Sequence, residues 1–193
     1  MKKTFVITGV VCIVVGVGLL VALLTFNWGS SPARSGMMGD IDRHFIEQMI
    51  PHHQDAVAMA ELALGRAEHG ELRQLAETIK TTQSREIDQM RAWYEAWYGV
   101  SVPDGTLARG SGMMGMGMMG DSADLEVLRA AQSFDREFIE QMIPHHQMGV
   151  MMAQMVLSGS EREEIRTLAR SIIQTQSDEI EQMRNWYQDW YGS

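Results

Sequence analysis

Cysteine is almost missing from this sequence. Its single copy, Cys12, lies inside an apolar N-terminal run, so the rest of the 193 residues has no thiol and no disulfide. That remainder must be held together by packing alone. Cys12 also comes too early, and behind too bulky a residue, to be a lipid-attachment cysteine. Stretches that alternate apolar and polar residues over a useful length are missing too, which argues against a sheet. Positive charge is in short supply, with 16 Lys and Arg against 25 Asp and Glu and a formal net charge of −9. Nucleic acid and anionic lipid are poor partners for such a surface.

The N-terminus has one long apolar run. Lys2 and Lys3 precede an uncharged stretch from Thr4 to Trp28, about 25 residues where about 20 suffice to cross a bilayer core. A secretory signal has a shorter apolar region and a small-x-small cleavage site. Here the run ends Leu24-Thr25-Phe26-Asn27-Trp28, without such a site. Residues 1–28 therefore read as an uncleaved anchor in the inner (plasma) membrane. A cleaved signal, giving a secreted protein, is the alternative. In both cases the two lysines stay in the cytoplasm and the rest is expected on the periplasmic or extracellular side.

After a Met/Gly-rich linker over 29–40, one unit is written twice. Asp42–Gly99 aligns without gaps onto Asp135–Gly192, with about 35 identical positions. Both copies contain Phe-Ile-Glu-Gln-Met-Ile-Pro-His-His-Gln, at Phe45–Gln54 and Phe138–Gln147, and both end with a Trp-Tyr-rich segment. In the first copy Ile46, Met49, Ile50, His53, Ala56, Val57, Ala60 and Leu64 recur at helical spacing. A break follows near Gly65 and His69-Gly70. Leu72, Leu75, Ile79, Met90, Trp93 and Trp97 then mark one face of a second helix. Ser160-Glu161-Arg162-Glu163 fits a capping box at the start of the corresponding helix in the second copy. The expected fold is all-α, an antiparallel four-helix bundle built from two duplicated hairpins, plus the N-terminal transmembrane helix. A Met-rich linker over 100–121 joins the repeats. Pro51 and Pro144 fall inside their helices, where a kink or restart is expected just before the paired histidines.

Those histidines are the first candidates for chemistry. His52 and His53 lie on or beside the apolar face, near Met49 and Met59. His145 and His146 repeat this with Met142, Met148 and Met152. One histidine on such a face is usually a satisfied core residue, but four imidazoles would need four sets of hydrogen-bond partners. A metal would satisfy them more simply. On the second helix of each copy, Gln83 and Glu86, repeated as Gln176 and Glu179, are too polar for their seam unless something partners them. They fit either a hydrogen-bond network with histidine or groups that orient metal-bound imidazoles beside the ligands Met90 and Met183. The tryptophans at the ends of these helices read as bundle-end core.

Seventeen methionines decide which metal to expect. Thioether sulfur suits Cu(I) and Ag(I) and is a poor ligand for zinc, calcium or ferric iron. It is also the soft donor that keeps working where thiols are oxidised. Met151 and Met155 lie beside Met148 and Met152 on the fourth helix, whereas the first copy has Ala58, Leu62, Asp55 and Met59 at those places. The second half is therefore expected to hold more soft metal than the first. Met113, Met114, Met116, Met118 and Met119, in a Gly-rich stretch unsuited to a core, read as a loop that captures Cu(I) weakly. The alternative is a linker of biased composition.

The sequence also resembles the domain of unknown function 305 family, which includes CopM-like copper-binding proteins. The resemblance rests on Asp42-x-x-Phe45-x-x-x-Met49-x-Pro51-His52-His53 with Met59-Ala60, on Gln83-x-x-Glu86-Ile87-x-x-Met90, and on the second copy of each. It covers about four fifths of the chain. It implies a ferritin-like bundle, export and a link to copper resistance. Glu137 in place of His44, Gln154 in place of Glu61 and Met148 in place of Asp55 imply that the two halves do not share every ligand.

The function expected is extracytoplasmic binding of Cu(I) or Ag(I) for sequestration, tolerance or delivery. A copper exporter or another copper protein would be the receiving partner. Two alternatives come from other classes. A carboxylate-bridged di-iron enzyme would need Glu-x-x-His pairs, and none occurs, so no enzyme is expected. A metal-free helical interaction module would use methionine as adaptable apolar surface.

Overall fold

The computed structural model describes residues 41–103 and 122–192. The expected anchor, the 29–40 linker and most of the Met-rich linker lie outside the described residues. Among the described residues the protein is an all-helical bundle without strands, made of α1 (Ile41–Arg66), α2 (Gly70–Tyr98), α3 (Ser122–Ala130), α4 (Phe134–Gly159) and α5 (Glu163–Tyr191). None of these helices is long and apolar enough to cross a membrane.

Each repeat forms a hairpin, α1 with α2 and α4 with α5, and α1 packs against α4 to join them. The break expected near His69-Gly70 is there, with His69 in extended backbone before α2. Gly99 closes α2 in the left-handed region at φ +70°, where a side chain would be strained. The capping box at Ser160 differs from expectation. Ser160 ends α4, its N–H bonded to Val156 O at 2.8 Å, and its hydroxyl accepts the N–H of Arg162 rather than that of Glu163. Ser160 is buried in the turn, and α5 starts at Glu163 without a side-chain cap.

Neither proline restarts its helix. α1 and α4 run through Pro51 and Pro144 as single helices. A mid-helix proline costs about 3 kcal/mol, whereas burying a Met or Ile side chain gains roughly 2 kcal/mol. Met49 and Ile50 before Pro51, and Ile139 and Met142 before Pro144, are buried, which outweighs the lost hydrogen bond.

α3 was not expected. It rests on α1 and α4 through Leu128, which is fully buried. The guanidinium of Arg66, at the end of α1, donates to the carbonyls of Leu128, Arg129 and Ala131. These carbonyls close the end of α3, where a helix leaves acceptors behind; Leu128 O also accepts the N–H of Ala131 at 3.4 Å.

Two apolar cores form, one toward each end, and each draws on both repeats. The first joins Ala56, Ala60 and Ala63 of α1 and Leu72, Leu75 and Ile79 of α2 to Leu128, Phe134, Phe138 and Ile139. The second joins Phe45, Ile46 and Ile50 of α1 and Ile87 and Tyr94 of α2 to Val156, Ile165, Leu168 and Ile172. The late part of α1 thus meets the start of α4, so these helices cross antiparallel about an approximate two-fold axis.

The two ends are latched by equivalent groups. At one, the buried Asp135 carboxylate accepts the backbone N–H groups of Glu68 and His69 (2.9 and 2.8 Å) and pairs with His69 Nδ1 (2.7 Å). The His69 ring stacks on Trp190 at 3.6 Å. At the other, Arg162 pairs with Asp42 (3.3 Å) and lies 4.2 Å from the ring centre of Trp97.

Candidate metal centre

A layer of polar side chains is buried in the same bundle as the two cores. His53 and His146 are 0% exposed, His145 3% and His52 7%, so both members of each histidine pair point inward. The backbone continuity through the prolines puts them there: adjacent residues on a helix diverge by about 100°, and only packing on two sides buries both.

The histidines are held by two kinds of contact. His53 Nε2 bonds to Glu86 Oε2 at 2.7 Å, and His146 Nε2 to Glu179 Oε2 at 2.6 Å. Glutamates on α2 and α5 thereby fix the imidazoles of α1 and α4. At the crossing of α1 and α4 the rings of His52 and His145 lie 3.8 Å apart, tilted by 31°. His52 Nε2 is 3.0 Å from the carbonyl of His145 and donates to it. Burial pushes the His52 imidazole down to about 3, with His53 and His146 adding to the effect. Burial, then His52 and His146, also hold His145 well below the usual histidine range. Both rings are neutral at pH 7, and each nitrogen is then either a donor or a lone-pair acceptor.

Several of those nitrogens have no hydrogen-bond partner among the described residues. They are Nδ1 of His52, His53 and His146, and both ring nitrogens of His145. Oε1 of Gln83 and Gln176, residues 3% exposed, is likewise unpartnered. Leaving a buried polar group unmade costs about 1–3 kcal/mol, so the layer is destabilising unless something binds there. Where Nε2–H of His53 or His146 donates to its glutamate, Nδ1 keeps the lone pair a metal needs. A cavity of about 10 Å³ between α2 and α5 is bordered by Gln83, Glu86, Gln176 and Glu179, with Thr82 and Thr175 beside them. It has room for about one water.

Among the described residues no three His, Asp or Glu side chains converge as a ready metal cage. Further candidate donors are the Oε1 atoms of Gln83 and Gln176 and the methionine sulfurs. Met59, Met142 and Met183 lie in the first core, Met49 and Met90 in the second, and half-buried Met152 packs against the second. Each group mixes the repeats, so the sulfurs are arranged by bundle end rather than by half. Met49 and His53, Met142 and His146, Glu86 and Met90, and Glu179 and Met183 are each four residues apart, hence on successive turns of one helix face. Met148 is half-buried, and Met151 and Met155 are 46% and 62% exposed. Met113, Met114, Met116, Met118 and Met119 lie outside the described residues.

Trp93 stacks on Trp97 at 5.5 Å and Trp186 on Trp190 at 5.4 Å. All four are only half-buried, so they border the cores instead of filling them. An open cleft of about 320 Å³ beside Pro51, bordered also by Arg91 and Glu95, is lined by none of the histidines.

Sequence reasoning missed Gly149. A methyl there would collide with Gln176 Oε1 and press on His52 Cε1 at 3.0 Å. Its counterpart is Ala56, so the difference between the repeats on a buried face was the available signal.

Solved structures with this architecture include "CopM in the Cu(II)-bound form", 52% identical with a TM-score of 0.70, covering 78% of this chain and 97% of that one. "CopM in the Cu(I)-bound form" is 51% identical, TM-score 0.68, with the same coverage. A DUF305 fragment from Deinococcus radiodurans is 30% identical, TM-score 0.63, covering 76% and 95%. Among curated proteins no match is found. Residues 42–191 match the family described as Domain of unknown function (DUF305). With that match spanning both repeats, and relatives near 50% identity aligned over nearly their whole length, the chain belongs to the DUF305 family.

Proposed function

We propose that this protein binds Cu(I) or Ag(I) through histidine nitrogen and methionine sulfur, outside the cytoplasm, for sequestration, tolerance or delivery. The observation that carries the reading is the layer of buried, unpartnered imidazole nitrogens in a bundle whose cores contain methionine. Neutral imidazole and thioether together suit a soft monovalent ion better than a hard one. Solved structures of CopM with Cu(I), Cu(II) and Ag, about half identical to this chain, support it. In this reading the two hairpins form a ferritin-like four-helix bundle. His52, His53, His145 and His146 are ligands with Met49, Met59, Met90, Met142, Met152 and Met183, and Glu86 and Glu179 orient the rings.

Titration with Cu(I) against a competing chelator tests it. The wild-type chain takes up copper, and a His52→Ala/His53→Ala variant takes up less while keeping its helicity. Full uptake by an unfolded variant would make the histidines structural. The location belongs to the same proposal: with residues 1–28 as an anchor, protease added outside the inner membrane reaches the bundle. Recovery of the bundle in the cytosol would sink that part. The exposure of Met151 and Met155 also favours a second reading, a metal-free contact surface, in which exchange of methionine for leucine changes nothing.

A further inference from the structure

We infer that the methionine face of α4 is the route by which a soft metal ion passes from solvent to the buried histidine layer. The inference rests on the metal-binding reading above. At about 100° per residue, Met151, Met155, Met148, Met152 and His145 occupy one continuous arc of roughly 120° around α4. Between 145 and 155 no other side chain falls on that arc. Its outer side is exposed and its inner end buried: Met151 and Met155 are 46% and 62% exposed, Met148 and Met152 are half-buried, and His145 is 3% exposed. Along the helix, His145 and Met148, Met148 and Met151, Met148 and Met152, Met151 and Met155, and Met152 and Met155 are each three or four residues apart, so successive side chains share one surface.

The inner end of this row is the residue best prepared to receive an ion. His145 is the one histidine of the layer with both ring nitrogens unpartnered. A hydrated ion cannot enter an apolar core directly, because its whole shell would have to leave at once. A row of thioethers exchanges donors one at a time, so the ion always keeps sulfur in contact. The row offers no oxygen donor, so hard cations gain nothing by entering. Repeat one has Asp55, Ala58, Met59 and Leu62 at the equivalent places. The row is therefore broken there, and among the described residues the equivalent face of α1 offers no such route.

The test measures rate and capacity separately, on the full chain. Cu(I) is offered as its coloured bicinchoninate complex, and loss of colour follows transfer to the protein. A Met151→Leu/Met155→Leu double variant, altered only at exposed positions, transfers copper about tenfold more slowly, the effect of a barrier higher by about 1.4 kcal/mol. With these two sulfurs acting as a passage rather than as the additional holding site expected from the sequence, it holds the same number of ions at equilibrium. An unchanged rate overturns the route. So does a lower equilibrium capacity with unchanged kinetics, because the two methionines are then a terminal site. If the wild-type chain takes no copper from the complex, the metal-binding reading itself fails.

Discussion

The rings of His52 and His145 meet 3.8 Å apart where α1 crosses α4, yet only His52 has a hydrogen-bond partner. The two residues are equivalent in the repeats, so the contact breaks the symmetry that produced it. Gly149 accounts for the difference, because its missing side chain admits His52 and Gln176 beside α4. The partnerless ring is left on α4, the helix that also carries the exposed methionines.

Replacing Gly149 with alanine is expected to destabilise the apo protein by about 1–3 kcal/mol, the usual cost of overpacking a filled site. Alanine in an exposed helix would instead gain up to about 1 kcal/mol, so the sign is diagnostic. Urea denaturation measures it. A stabilised variant would show that Gly149 does not set the position of His52.

The buried imidazoles make acid stability the next test. An unfolded histidine titrates near 6.5, whereas folded His52 is held at about 3 and His145 is also strongly lowered. Above pH 6.5 neither state takes up protons and these groups are neutral in both. Below it the unfolded chain gains protons that the native one refuses. Stability therefore falls as pH drops from 6.5 toward 3, by about 1 kcal/mol per pH unit for each ring. Thermal melts between pH 6.5 and 5, above most carboxylate titration, should show this slope. A His52→Asn/His145→Asn variant should lose it, and equal slopes in both proteins would contradict the assignment.

Sulfur can be removed by bundle end. A Met59→Leu/Met142→Leu/Met183→Leu variant alters one core and keeps its bulk, at a cost usually below about 1.5 kcal/mol per exchange. The expected result is loss of at least one Ag(I) with an intact helical spectrum. Silver avoids redox cycling, and mass spectrometry under native conditions counts the ions. Unchanged stoichiometry would leave these three methionines as packing alone.

Much of this arrangement was legible because helical periodicity and duplication are local properties. They place the hairpins, the buried His52/His53 and His145/His146 pairs, and the polar Gln83, Glu86, Gln176 and Glu179 inside a seam. What escaped depends on tertiary contact. α3 is too short, and leans on too few apolar residues, to announce itself before Arg66 and Leu128 are seen together. The grouping of Met59 with Met142 and Met183 follows from the antiparallel crossing of α1 and α4, which no spacing within one repeat encodes. The Asp135 latch was hidden likewise, since its partners Glu68 and His69 lie in the other repeat.

That latch is open to a direct measurement. The Asp135 carboxylate, 2% exposed, accepts two backbone N–H groups and pairs with His69. Hydrogen bonds to a charged acceptor contribute about 1.5–3 kcal/mol each. Asp135→Ala should therefore cost about 2–4 kcal/mol in urea denaturation. Asp135→Asn, which keeps one acceptor oxygen, should cost less. Equal stability of Asp135→Ala and wild type would remove the latch from the account.

Because each core takes its lining from both hairpins, neither hairpin owns a complete interior. A surface that meets its own copy about a two-fold axis is isologous, the kind by which identical subunits form a dimer. The bundle is in this sense a dimer made into one chain. Fusion frees the two copies to drift apart, as Asp55 and Met148, Ala56 and Gly149, or His69 and Arg162 have done. A chain nicked between Pro103 and Ser122 should accordingly stay together as one noncovalent species until denaturant separates the pieces.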